Sequence, residues 1–126
     1  MSKIVADAVL DAALNHIKNN ATKLNVCSTA QANYAGIAAV ELASVVIDSA
    51  DFTGPADGDT NGRKVAVNAQ TGMTITASGT AAHIALSNGT DTMYYVTEIE
   101  PDTALTDNDT NTCSTDAWDI EIADPV

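Results

Sequence analysis

The stretch from Arg63 to Ile99 most constrains what this chain can fold into, because its apolar residues recur at every second position. Ile84 and Leu86 alternate with His83, Ala85 and Ser87, and Met93 and Tyr95 alternate with Tyr94 and Val96. Side chains two apart share one face of a strand, so each run reads as a strand with an apolar side. Between the runs stands Asn88-Gly89, a pair suited to the positive φ of a tight turn. A two-residue loop would set Leu86 opposite Asp91. A loop spanning Asn88–Asp91 instead sets Leu86 opposite Met93 and Ile84 opposite Tyr95, both apolar pairs, and is the register expected.

The same alternation recurs on either side. Val65 and Val67 mark a strand over Arg63–Ala69, and Met73, Ile75 and Ala77 mark another after a turn at Gln70–Gly72. Trp118, Ile120 and Ile122 alternate with Asp119 and Glu121, which predicts a final strand over 117–124 with one acidic face, suited to a sheet edge. Short turns between strands favour antiparallel pairing, since parallel strands need long crossovers. Leu24–Ser28 is a further strand, followed by a loop over Thr29–Gly36. Val40–Asp48 lacks clean alternation and reads as a strand covered on both faces or bulged near Ser44. Asp51–Gly62 is dense in Gly, Asp, Asn and Pro and reads as one long turn.

Residues 3–20 carry a helical period. At about 100° per residue, Ala6, Val9, Leu10, Ala13, Leu14, Ile17 and Ala21 share a face, with Asp7, Asp11, Asn15 and Lys18 opposite. Ser2 is the expected N-cap and Asn19–Asn20 the left-handed stop. That face is expected to pack on the sheet, with a neighbouring chain as the alternative.

The expected architecture is therefore α+β and mainly β. It is a single domain over 1–126, an antiparallel sandwich or barrel-like body with one N-terminal amphipathic helix. The helix takes 3–20, the main β region 24–99, an acidic excursion 100–116 and the last strand 117–124. At 126 residues such a chain buries a core without metals or disulfides, although only five residues are aromatic. The small-residue core makes association with other subunits a natural source of stability.

Charge excludes some partners. Seventeen acidic against five basic residues give −12, which opposes the counterion release on which nucleic-acid binding depends and disfavours anionic membranes. It suits a protein kept soluble by self-repulsion or laid on a basic partner. No run is long and apolar enough to span a bilayer, and Asp7 and Asp11 interrupt any signal-peptide pattern, so synthesis in a reducing cytoplasm is expected. Cys27 and Cys113 match neither a redox nor a zinc spacing and are expected to be buried free thiols, with a disulfide left open.

Motifs for chemistry are sparse. Asp57-Gly58-Asp59-Thr60-Asn61-Gly62 matches the first half of a calcium loop, but the position for the bidentate Glu is Asn68, so an ordinary turn is expected. Asp107–Asn111 is a weaker version without the glycine. His16 and His83 have no spacing to a nucleophile, and His83 is expected at the surface. Glu98/Glu100 and Asp119/Glu121 each lie on one strand face, unlike carboxylates facing across a cleft. Asn20, Asn88 and Asn108 begin glycosylation patterns that mean little without a secretory signal. No catalytic, cofactor-binding or metal-binding residue is expected.

Several segments together resemble a family of small virion structural proteins of tailed bacteriophages. They are the opening helix ending near Cys27, Asp51-Phe52-Thr53 through Arg63-Lys64, His83–Thr90, and Ala117–Asp124. The resemblance implies a structural role in the virion, no enzymatic activity and no cofactor, for a protein made in the host cytoplasm. A capsid decoration protein on the head surface is the expected function, with a tail-tube, neck or fibre-associated component as the alternative. The partners implied are the major capsid protein or other virion proteins. Decoration around a local symmetry axis makes a homo-oligomer natural, a trimer favoured.

Overall fold

A computed structural model describes residues 4–105 and 112–124, with backbone alone for 99–105. The fold is mainly β, with antiparallel sheets and an N-terminal helix. In chain order the elements are α1 (Asp7–Asn20), β1 (Lys23–Cys27), a 3-10 turn (Tyr34–Gly36), α2 (Ile37–Val40), β2 (Glu41–Val46), a second 3-10 turn (Ser49–Asp51), β3 (Phe52–Asp57), β4 (Arg63–Val67), β5 (Gln70–Thr74), β6 (Gly79–Ser87), β7 (Met93–Leu105), β8 (Thr112–Thr115) and β9 (Trp118–Ile122). One sheet runs β2-β1-β6-β7, a second runs β3-β4-β9, and β5 pairs with β8. A single bridge, Ala43 to Ile75, links β2 to the end of β5. The sheets do not close on one another, so the barrel-like form is not adopted.

One core joins the two larger sheets and the helix: Leu24, Val26, Ile84 and Leu86 from one sheet, Val65, Val67 and Ile120 from the other, and Leu14 from α1. The opposite face of the four-stranded sheet carries a smaller cluster. Cys27 and Ala85 pack there beneath Ile37 of α2, flanked by Tyr34, Val40, Met93 and Val96.

The helix departs from the expected span and face. It begins at Asp7 after Ala6, which offers no capping side chain, and the expected cap Ser2 lies outside the described residues. Ala6, Val9 and Ala13 are exposed, while Asp11 and Lys18 turn inward beside Leu10 and Leu14. Two polar anchors explain the rotation. Asp11 receives Arg63 from β4 at 2.8 Å, and Lys18 Nζ donates to the carbonyl of Gly54 at 2.8 Å. At the other end the chain leaves α1 through Ala21 in extended conformation; no described residue other than glycine has a positive φ, so the expected asparagine stop is not used.

The hairpin forms, with a different register. Ser87 faces Met93, Leu86 faces Tyr95 and Ile84 faces Thr97, with Tyr94 an extra residue in β7. The loop is Asn88–Thr92, one residue longer than expected, because Asn88 organises it. Its Oδ1 accepts from the backbone N–H of Thr90, Asp91 and Thr92 at 2.9 to 3.0 Å, and its own N–H donates to the Thr92 carbonyl. Gly89 holds the expected positive φ, at 73°.

The next two corrections share a cause: Gly and Pro sit at bulges inside strands rather than in turns. Phe52–Asp57, expected as part of a turn, pairs with β4, and the register shift between Thr53 and Ala56 takes up Gly54-Pro55. Gln70–Gly72, also expected as a turn, opens β5, and a shift between Gln70 and Met73 absorbs Gly72. The β2 bulge falls at Leu42 rather than Ser44, since Val26 faces Ala43 and Cys27 faces Glu41. Within the acidic excursion, Thr103–Leu105 pair with Gly79–Ala81, and Thr112–Thr115 form β8. The Asp107–Asn111 run and the Asn108 pattern lie outside the described residues.

Candidate functional site

Chemistry-bearing residues gather at three places, each created by strand pairing. On the small-cluster face of the four-stranded sheet, register places Glu41 beside Cys27, Cys27 beside His83, and His83 beside Glu98. One row across four strands thus holds a carboxylate, a thiol, an imidazole and a second carboxylate. No spacing in sequence signals this, because β1 and β6 are far apart along the chain. His83, expected at the surface, is half-buried, and its Nδ1 is sealed from water without a hydrogen-bond partner among the described residues.

A thiol and imidazole together suggest a nucleophile, yet the environment opposes it. A reactive cysteine needs access and a stabilised thiolate. Cys27 is 0% exposed. Burial pushes its thiol up to about 12, the Glu41 carboxylate adds to the rise, and a hydrogen bond with Gln31 offsets only part of it. Gln31 also donates from Nε2 to the Thr29 carbonyl, while its Oε1 is buried without a partner. At neutral pH this thiol is protonated and enclosed. Cys113 is a separate free thiol, half-buried, and raised by burial as well.

The second place is the Asp57–Gly62 loop. The oxygens that a calcium reading would assign to a cation are directed instead at β4. Asp57 Oδ1 accepts from Arg63 at 2.6 Å, and Asp59 Oδ1 accepts from Lys64 Nζ at 2.6 Å. Glu121 accepts from the Asp59 N–H at 2.8 Å, Asn61 Oδ1 accepts from the Asp124 N–H, and Lys64 also reaches Asp119 at 3.4 Å. These hydrogen bonds hold Arg63 and Lys64 firmly protonated, raised chiefly by Asp11 and by Asp59 respectively. Gly62 closes the loop at φ 71°, where an added Cβ would lie 2.0 Å from the Ile122 carbonyl. Asn68, at the position of the missing Glu, accepts instead from the Thr53 hydroxyl at 2.9 Å. Among the described residues no three His, Cys, Asp or Glu side chains form a group that could hold a metal ion. Asp119 and Glu121 therefore serve this corner as ion-pair and backbone partners.

The third place is aromatic. The bulge at Tyr94 lets neighbouring tyrosines grip two different elements. Tyr94 meets His16 of α1 edge-on at 5.7 Å, and Tyr95 stacks on Trp118 of β9 at 5.8 Å. Three of the chain's five aromatic residues are thus spent joining the helix and both sheets. The two histidines serve different clusters: His16 touches Tyr94, whereas His83 faces Cys27.

Comparison with known proteins returns nothing. The chain matches no family model, no curated protein and no solved structure.

Proposed function

We propose that this chain is a structural component of a tailed-bacteriophage virion, a decoration protein seated on the outside of the head shell. Beside the sequence resemblance, the observation that carries the reading is how charge is distributed. Every described cation is committed within the fold: Lys18 to the Gly54 carbonyl, Lys23 to Glu41, Arg63 to Asp11 and Asp57, and Lys64 to Asp59 and Asp119. Exposed carboxylates at Asp7, Glu98, Asp116 and Asp124 have no cation partner among the described residues, so the outward charge is negative. A body of this kind is suited to a basic docking surface and repels nucleic acid. Its partners in this reading are the major capsid protein and neighbouring virion proteins, with no enzymatic step and no cofactor.

The enclosure of Cys27 supports a packing role for its row of polar residues. The test is to purify intact particles, locate the protein by imaging and count its copies. Density over the head lattice, at an abundance approaching that of the major shell subunit, is the expected result. Density confined to the tail would overturn decoration, and absence from particles would overturn any structural role in the virion.

A further inference from the structure

Two surfaces that the chain leaves uncovered adjoin one another. The first is on α1. Its amphipathic arc is wider than the core beneath it, so Ala6, Val9 and Ala13 face outward, and Val9 is 60% exposed. One turn after Ala13, exposed His16 meets Tyr94. The second surface begins there, because Tyr94 belongs to β7, the end strand of the four-stranded sheet. Among the described residues, β7 makes ladder hydrogen bonds to β6 alone, and alternate backbone N–H and C=O groups point away from the sheet. From Thr92 to Thr97 this strand bears no charge; Asp91 and Glu98 bound it. In a chain of net charge −12, a helix stripe and a strand edge together form one uncharged surface.

We propose that a second copy of the chain docks on this surface, with β7 antiparallel to β7 about a two-fold axis. The four-stranded sheet then continues through both subunits, and the two α1 stripes flank the junction. The backbone edge calls for an extended strand, and charge selects the copy. Two like-charged bodies can meet closely only where charge is missing on both, and an isologous contact meets that condition by using one patch twice. A dyad at Val96 sets Tyr95 opposite Thr97, and Tyr94 opposite Glu98, so no carboxylate opposes a carboxylate. A dyad displaced by two residues to Glu98 would set that carboxylate opposite its own copy, which disfavours that slip. The bulge at Tyr94 ends the regular edge and directs the chain toward His16, so the helix supplies apolar area where the strand pairing stops. This contact makes a pair rather than a ring. It stands on the fold alone, so its failure and that of the virion reading are separate results.

The test is sedimentation equilibrium on the full chain at low and high salt, with amide exchange followed along β7. The expected result is a monomer–dimer equilibrium that tightens as salt screens the mutual repulsion. Amides of Tyr95–Glu98 should gain protection as protein concentration rises. Ala13→Glu and Val9→Glu, at exposed positions of a helix that tolerates glutamate, are expected to raise the dissociation constant by roughly tenfold or more without changing the melting temperature of the dilute monomer. Thr60→Glu, in the Asp57–Gly62 loop, is the control and should leave association unchanged. A chain that stays monomeric at every concentration and salt would overturn the proposal. So would a trimer, an association untouched by Ala13→Glu, or a dimer whose β7 amides exchange as they do in dilute solution.

Discussion

The two larger sheets share one core but differ on their far faces. In the three-stranded sheet, β4 and β9 turn Val65, Val67 and Ile120 inward and Lys64, Asp119 and Glu121 outward, where they form ion pairs and a backbone hydrogen bond. In the four-stranded sheet, β1 and β6 also turn large apolar residues inward. Of their other set, Asn25, Cys27, Ala85 and Ser87 are buried too, under Tyr34 and the short helix α2 in the case of Cys27 and Ala85, while Lys23 and His83 are half-buried. The difference is chemical. Charged positions of a far face are left in water, whereas a patch of small neutral residues such as Asn25, Cys27, Ala85 and Ser87 is thin enough to be covered and has little desolvation to oppose it.

The comparison is tested first where burial is greatest. Leu86→Ala removes a wholly buried side chain from the common core, and chemical denaturation should show a loss of about 2–5 kcal/mol. The far faces should then separate. Ser87 Oγ donates to Asn25 Oδ1 at 3.0 Å, both buried, so Ser87→Ala leaves the amide oxygen without its donor and should cost about 1–3 kcal/mol. Glu121→Gln, at the far face of the other sheet, keeps an acceptor for the Asp59 N–H and should stay within about 0.5 kcal/mol. Equal losses from those two substitutions would erase the distinction.

Cys27 sharpens it through pH. Its thiol is raised from 9.0 to about 12 in the fold. Below the unfolded value the thiol is protonated in both states and the contribution to stability is fully present. Between the two values the unfolded chain releases the proton and the folded chain keeps it, so stability falls as pH rises. Melting temperatures of wild type and Cys27→Ala should therefore converge or cross between pH 9 and 12, with wild type losing more. The smallest effect belongs to the helix corner. Asp11→Asn removes the carboxylate that holds Arg63, and faster amide exchange confined to α1 should report it.

Much of the fold is legible in the sequence because burial and period agree. For Val65, Val67 and Ile120, alternation names the buried side correctly. It fails for His83, Ala85 and Ser87, because a period of two tells which side chains share a face and not what lies against that face. The cover, Tyr34 to Val40, has too few residues for any periodic signal. Gly54-Pro55 and Gly72 mislead in another way: the residues that mark turns also mark bulges, and only the partner strand distinguishes them. α1 shows a third limit. Apolar period places its face around Val9 and Ala13, yet Arg63 and the Gly54 carbonyl, remote in sequence, rotate it toward Asp11 and Lys18. The row Glu41-Cys27-His83-Glu98 is invisible until strands pair, since it exists only across the sheet.

Within that row Cys27 is where a passive role and a chemical one diverge most, so the enclosure of its thiol is the central claim. Alkylation of the native protein at neutral pH, followed by mass spectrometry of each thiol, tests it directly. Cys27 should resist the reagent until the whole chain unfolds, with a rate that follows denaturant, while half-buried Cys113 reacts first. Rapid modification of Cys27 in the folded protein, at or above the rate of Cys113, would show an open and activated thiol and contradict the account.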